Sequence, residues 1–153
     1  MGKKKFKPGV FKSGTWIISD IYFSRAFHAL SGFAPQLLIL FLAKRDIDHQ
    51  HRCTNENRIT MTYLELENIY NRGQENKNLP TDGIKRPRII RAIDELLSKG
   101  FIKIISRGGA FKQDKTIYGL SDQWQWWRKG TIYNTRVTEP RRGYQGKRIG
   151  ATK

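Results

Sequence analysis

Four cations and two isoleucines are packed into Lys85-Arg86-Pro87-Arg88-Ile89-Ile90-Arg91, and no other stretch comes closer to a chemistry by residue type and spacing. At helical spacing Ile89 and Ile93 face inward, while Arg88 and Arg91, three apart, share an outer face. A guanidinium is a rigid fork of donors that pairs with two acceptors at once, on a base edge or a phosphate. Lys85 and Arg86 fall at the N-terminal end of such a helix, where backbone N–H groups also meet an anion. Arg88 and Arg91 are therefore expected to meet bases, with Lys85 and Arg86 divided between bases and phosphate. Asp94 and Glu95 follow one turn later, and their charge suggests that the C-terminal half of the helix leaves the polyanion.

Other constellations are weaker. His49, His51 and Cys53 alternate just after Asp46 and Asp48. Their donors suit zinc, but the spacing lacks the two-residue separations of structural sites, so a polar loop without metal is expected. No Ser/His/acid arrangement and no phosphate-binding Gly-Lys-Thr motif is present, and Asp94 and Glu95 are neighbours rather than carboxylates facing across a cleft. Neither catalysis nor a cofactor is expected. Trp124, Trp126 and Trp127 offer stacking surface for single strands, but indoles closing a small core are the plainer reading.

The charge is unevenly placed. The 153 residues hold 29 Lys plus Arg against 13 Asp plus Glu, a net +16. Residues 1–12 carry five Lys and no acid, and residues 128–153 carry eight basic residues and one acid, Glu139. Both ends are Gly- or Pro-rich without periodicity, and are read as flexible basic arms. Between them, residues 13–127 have a length that suits one domain. Within that body, residues 84–115 hold nine basic and three acidic residues, which accounts for its whole positive excess. That is the footprint of a binding face for nucleic acid, and double-stranded DNA is the expected partner.

A membrane is not expected as a partner, because the longest apolar run, Leu37 to Ala43, has seven residues and a span needs roughly 18. The basic start lacks the apolar region of a secretory peptide, and Phe6 stands where myristoylation needs Ser or Thr. The single Cys53 fits a reducing compartment, so a cytoplasmic location is expected.

The elements that must position these residues follow from periodicity. Trp16 to Tyr22 reads as a short strand or extended segment, and residues 23–29 as a short helix. A helix with Pro35 in its first turn carries Ala34, Leu37, Leu38, Phe41 and Leu42 on an apolar stripe, broadened by Ile39 and Leu40. Residues 44–58 read as a loop. A second helix runs to about residue 71, capped by Thr60 or by Thr62 with Glu65 as a capping box. An irregular connection occupies residues 71–83.

The third helix, residues 86–99, is the clearest: Ile89, Ile93, Leu96 and Leu97 form its stripe and Gly100 stops it. Residues 101–106 and 115–120 read as paired strands around the Gly-rich tip 107–114, where Arg107 and Lys112 would meet phosphate or the minor groove. Residues 121–127 read as a short helix or extended segment. The order gives an α+β winged helix-turn-helix, mainly helical with a two- or three-stranded antiparallel wing.

Two stretches also resemble a known group. Ser24-Arg25-Ala26-Phe27-His28-Ala29-Leu30-Ser31-Gly32, within residues 20–38, is similar to the opening of small winged helix-turn-helix proteins of phages, plasmids and other mobile elements. Arg91-Ala92-Ile93-Asp94-Glu95-Leu96 and Gly100-Phe101-Ile102, within residues 83–109, resemble their recognition helix and wing. The resemblance covers roughly residues 16–127. It implies kinship with replication-initiation and transcriptional-regulator domains, and places Pro87 to Ile89 among the variable reading residues. Two departures stand out: Lys85 occupies the Ser or Thr cap position, and the 71–83 connection exceeds a tight turn. A transcriptional regulator or replication accessory of mobile DNA is the expectation. The alternative is a protein-protein interaction module whose charge serves an acidic partner. Monomer, or weak homodimer through the first helix or the Trp segment, are both left open.

Overall fold

The computed structural model describes residues 15, 17–50, 52–72, 84–108 and 115–136. The arm 1–12, the chain beyond 136, most of the 71–83 connection, Lys112 and His51 lie outside the described residues.

Five helices and a three-stranded antiparallel sheet make up the described body: α1 (Ser19–Tyr22), α2 (Arg25–His28), α3 (Ala34–Ala43), β1 (Ile59–Thr60), α4 (Tyr63–Arg72), α5 (Arg86–Ser98), β2 (Ile102–Ser106) and β3 (Ile117–Leu120). A 3-10 turn, Gln123–Trp126, follows. The sheet order β1-β3-β2 places the last strand centrally. Helix, strand, two helices and a hairpin in this order form an α+β winged-helix-type architecture.

The first element differs from the expectation. Residues 19–22 are a helical turn, not a strand. Only Ile21 of that turn is buried, so the apolar run does not alternate between two faces as a half-buried strand requires. Ser24 joins this turn to α2: its hydroxyl donates to the Ile21 carbonyl at 2.7 Å and accepts from the Phe27 N–H at 3.1 Å.

Helix α3 buries Ala34, Leu37, Leu38, Phe41 and Leu42 against α5. Ile39 is 39% exposed, so this helix is covered on one broad side rather than all round. Lys44, just past its end, donates to the Thr60 carbonyl at 2.8 Å and pairs with Glu65, which ties α3, β1 and α4 together. Thr62, not Thr60, caps α4 by accepting from the Glu65 N–H at 3.1 Å. Thr60 lies in β1 instead, opposite Ile117 of β3.

The loop before β1 is knitted by side chains. Asp48 accepts from the N–H groups of Gln50 and Arg52 at 2.8 Å each. Asn55 accepts from the Asp46 N–H and donates to the Lys44 carbonyl, also at 2.8 Å. His49 is exposed, and Cys53 is half-buried beside Asn55.

The indoles divide. Trp124 stacks on Phe101 with centroids 6.0 Å apart and planes 8° from parallel. Trp127 is partly buried, and Trp126 is 67% exposed.

Candidate nucleic-acid interface

Helix α5 is amphipathic in the manner its sequence suggests. Ile89, Ala92, Ile93, Leu96 and Leu97 are buried, while Lys85, Arg86, Arg88 and Arg91 are exposed. With 3.6 residues per turn, Arg91 falls opposite the buried stripe, and Arg88 and Asp94 fall about 60° to either side of it. Lys85 is the N-cap residue in extended conformation and makes no side-chain cap bond. Pro87 occupies the first turn, which holds no acidic residue. The positive end of the helix and the cations therefore reinforce one another.

The C-terminal end is fixed by a backbone motif. Phe101 N–H donates to the Leu96 carbonyl at 3.0 Å and Gly100 N–H to the Leu97 carbonyl at 3.1 Å, the paired bonds of a Schellman cap. Gly100 has φ +78°, and a Cβ there would stand 2.6 Å from Gln123 Cβ and 2.9 Å from a Tyr133 ring carbon. No other residue type fits both the conformation and the space. The turn sends the chain directly into β2, so helix and wing are rigidly joined.

Strand β2 pairs with β3 through Ile102–Leu120, Lys103–Gly119 and Ile104–Tyr118, then slips so that Ser106 faces Ile117. Ile105 is the extra residue of this bulge, and is accordingly exposed. Arg107 is exposed at the exit of β2. The wing tip beyond it, with Lys112, lies outside the described residues.

The expected contact residues do not stand in equal surroundings. Arg86 is held towards α4: its guanidinium lies 5.4 Å from the centre of the Tyr63 ring and 3.6 Å from the Glu67 carboxylate. Arg88 and Arg91 project from the outer side of α5. The two acids of the next turn have structural partners. Glu95 accepts from the Ser31 N–H and hydroxyl at 3.0 Å each and from the Lys99 ammonium at 2.8 Å. Asp94 is paired with Arg136.

Arg136 is the residue that local sequence reasoning missed. Charge counting places it in the tail, yet it donates to the Tyr63 hydroxyl at 2.9 Å and to the Ile90 carbonyl at 2.7 Å while facing Asp94. The chain leading to it runs between α5 and β2. On one side Asn134, Thr135 and Arg136 line a groove with Ile90, Asp94 and Ser98. On the other, Tyr133, Asn134 and Thr135 line a groove of about 350 Å³ with Lys103 and Arg107. Arg107 and the middle of α5 thus border the same segment.

No protein-family model, curated protein or solved structure matches the chain.

Among the described residues no group of three or more His, Cys, Asp or Glu side chains is placed to hold a metal. No described helix is long and apolar enough to cross a membrane.

Proposed function

We propose that the chain is a non-enzymatic, cytoplasmic protein that binds double-stranded DNA by inserting the N-terminal half of α5 into the major groove. The observation that carries this is the exposed row Lys85, Arg86, Arg88 and Arg91 on a helix whose opposite side is buried and whose first turn holds no acid. A reading helix needs one face to fix it and one face of long donors, and α5 has both. Arg88 and Arg91 read base edges, Lys85 meets phosphate, and Arg86 serves phosphate from its position over Tyr63. Arg107 and Lys112 act from the wing. The resemblance to small winged-helix proteins of phages, plasmids and mobile elements favours a transcriptional regulator or a replication accessory.

Fluorescence anisotropy with a 20-base-pair duplex and the matching single strand tests the partner class. Tighter binding to the duplex, weakened by Arg88→Ala plus Arg91→Ala, supports the proposal. Equal or preferential binding to the single strand contradicts it.

A second reading, a protein-protein module, is favoured by one feature. Phe23 is 74% exposed beside Tyr22, with ring centres 5.2 Å apart, and Trp126 is exposed in the 3-10 turn that packs on α2. A homodimer through these aromatics would sediment as one at micromolar concentration, and Phe23→Ser plus Trp126→Ser would return it to monomer.

A further inference from the structure

We infer that the cleft between α2 and the 3-10 turn holds one unpaired nucleotide of a strand, its base stacked on Trp126 and its flanking phosphates met by Arg25 and Arg128. The inference goes beyond the duplex reading and uses none of that reading's residues.

The cleft is about 290 Å³ and is lined by Ser24, Arg25, Gln125, Trp126, Trp127 and Arg128. That is the small end of the range for ligand pockets, roughly 300–1,000 Å³, and suits one ring system rather than a helix. Its frame is fixed. Trp124 N–H donates to the Gly100 carbonyl at 3.2 Å and Trp127 N–H to the Trp124 carbonyl at 3.2 Å, so the turn hangs from the end of α5. The Trp127 indole N–H donates to the Thr131 carbonyl at 3.0 Å, and the Lys99 ammonium lies 5.5 Å from its ring centre. On the other wall the Ser24 hydroxyl is already committed to Ile21 and Phe27.

What those bonds leave over decides the ligand. Trp126 is 67% exposed on this fixed turn. Arg25, from α2, and Arg128, just past the turn, are both exposed. Neither forms an ion pair with a described residue. No carboxylate lines the cleft, since Asp20 and Asp122 line a separate pocket with Cys53. An open indole beside two unpaired cations calls for a flat ring flanked by negative charge, which is a nucleotide within a strand. The bases of a blunt duplex are already stacked on one another, so the cleft takes unpaired ones. A second copy of the chain fits poorly. Across a two-fold contact the arginines of one cleft would face those of the other with no acid between them.

Fluorescence anisotropy of the full chain tests this with a blunt 20-base-pair duplex and with the same duplex extended on its 3′ or its 5′ end. The extension is either ten thymidines or ten abasic units, which keep the phosphates and lack the bases. With at least one polarity, thymidines should tighten binding about fivefold or more over abasic units. Trp126→Ala should abolish that difference and Trp126→Phe should keep most of it, with blunt-duplex affinity within about twofold of wild type for both. Arg25→Gln plus Arg128→Gln should weaken binding of the thymidine-extended duplex about three- to tenfold beyond any effect on the blunt one. Circular dichroism first establishes that each variant folds, as exposed positions allow. Equal binding of thymidine and abasic extensions would overturn the inference, as would a thymidine gain that Trp126→Ala retains. An arginine variant that binds the extended duplex as tightly as wild type would overturn the phosphate contacts. Blunt-duplex binding that needs Arg88 and Arg91 but shows no thymidine gain sinks this inference alone. A Trp126-dependent gain in a chain that does not bind the blunt duplex instead sinks the duplex reading.

Discussion

Arg136 donates to the Tyr63 hydroxyl at 2.9 Å across 73 residues of chain, joining the C-terminal segment to the first residue of α4. The same tyrosine ring lies under Arg86 at the start of α5. One phenol thus links both ends of the candidate interface to the scaffold. Tyr63→Phe keeps the ring and removes the hydroxyl, so it should lower stability by about 1 kcal/mol. The urea midpoint would read this as a modest downward shift with an unchanged slope. No shift would mean that the bond exchanges with water at no net cost.

Gly100→Ala should be much more damaging. The residue sits at φ +78° with Gln123 and Tyr133 against the position of a Cβ. Strain and overlap together should cost about 2–4 kcal/mol, read as a large fall in the urea midpoint. A loss below about 0.5 kcal/mol would show that the α5–β2 junction relaxes freely.

Tyr118 gives the fold an alkaline limit. Its ring is buried, edge-on to Phe41 at 5.3 Å. Burial, with smaller contributions from Tyr63 and Asp94 and partly offset by Arg136, pushes its hydroxyl from 10.0 up to about 12. The folded chain keeps this proton where the unfolded chain has lost it. The contribution is therefore whole below pH 10 and is lost as pH rises through about 12. Its size is on the order of 2 kcal/mol. Urea midpoints between pH 9.5 and 12 should fall more steeply for wild type than for Tyr118→Phe, since lysine titration is common to both. Parallel curves would mean that the phenol reaches solvent.

Much of the positioning frame was legible because it is local. Ile89, Ile93, Leu96 and Leu97 repeat at helical spacing and Gly100 ends the repeat, so α5 follows from one window of sequence. Thr60 and Thr62 both offer a cap for α4 in the local sequence, because β1 is two residues long and its pairing with β3 depends on a strand far along the chain. The run from Trp16 to Tyr22 was misleading because a short apolar stretch serves a strand and a helical turn equally. Arg136 left no local sign at all. Its partners Tyr63, Ile90 and Asp94 lie on two helices distant in sequence, and a single Arg in a polar, Gly-containing segment reads as tail charge. Lys112 and His51 fall outside the described residues, as does the 73–83 part of the long connection.

Whether α5 reads sequence is decided by selection from a random duplex library at low and at high salt. The full chain is compared with its Arg88→Ala plus Arg91→Ala variant. Phosphate contacts are screened by salt, whereas each bidentate base contact discriminates by about 1–3 kcal/mol. A sequence-reading α5 gives one enriched motif that survives high salt and is lost in the double variant. Binding without enrichment, or a motif that the double variant retains, would contradict it.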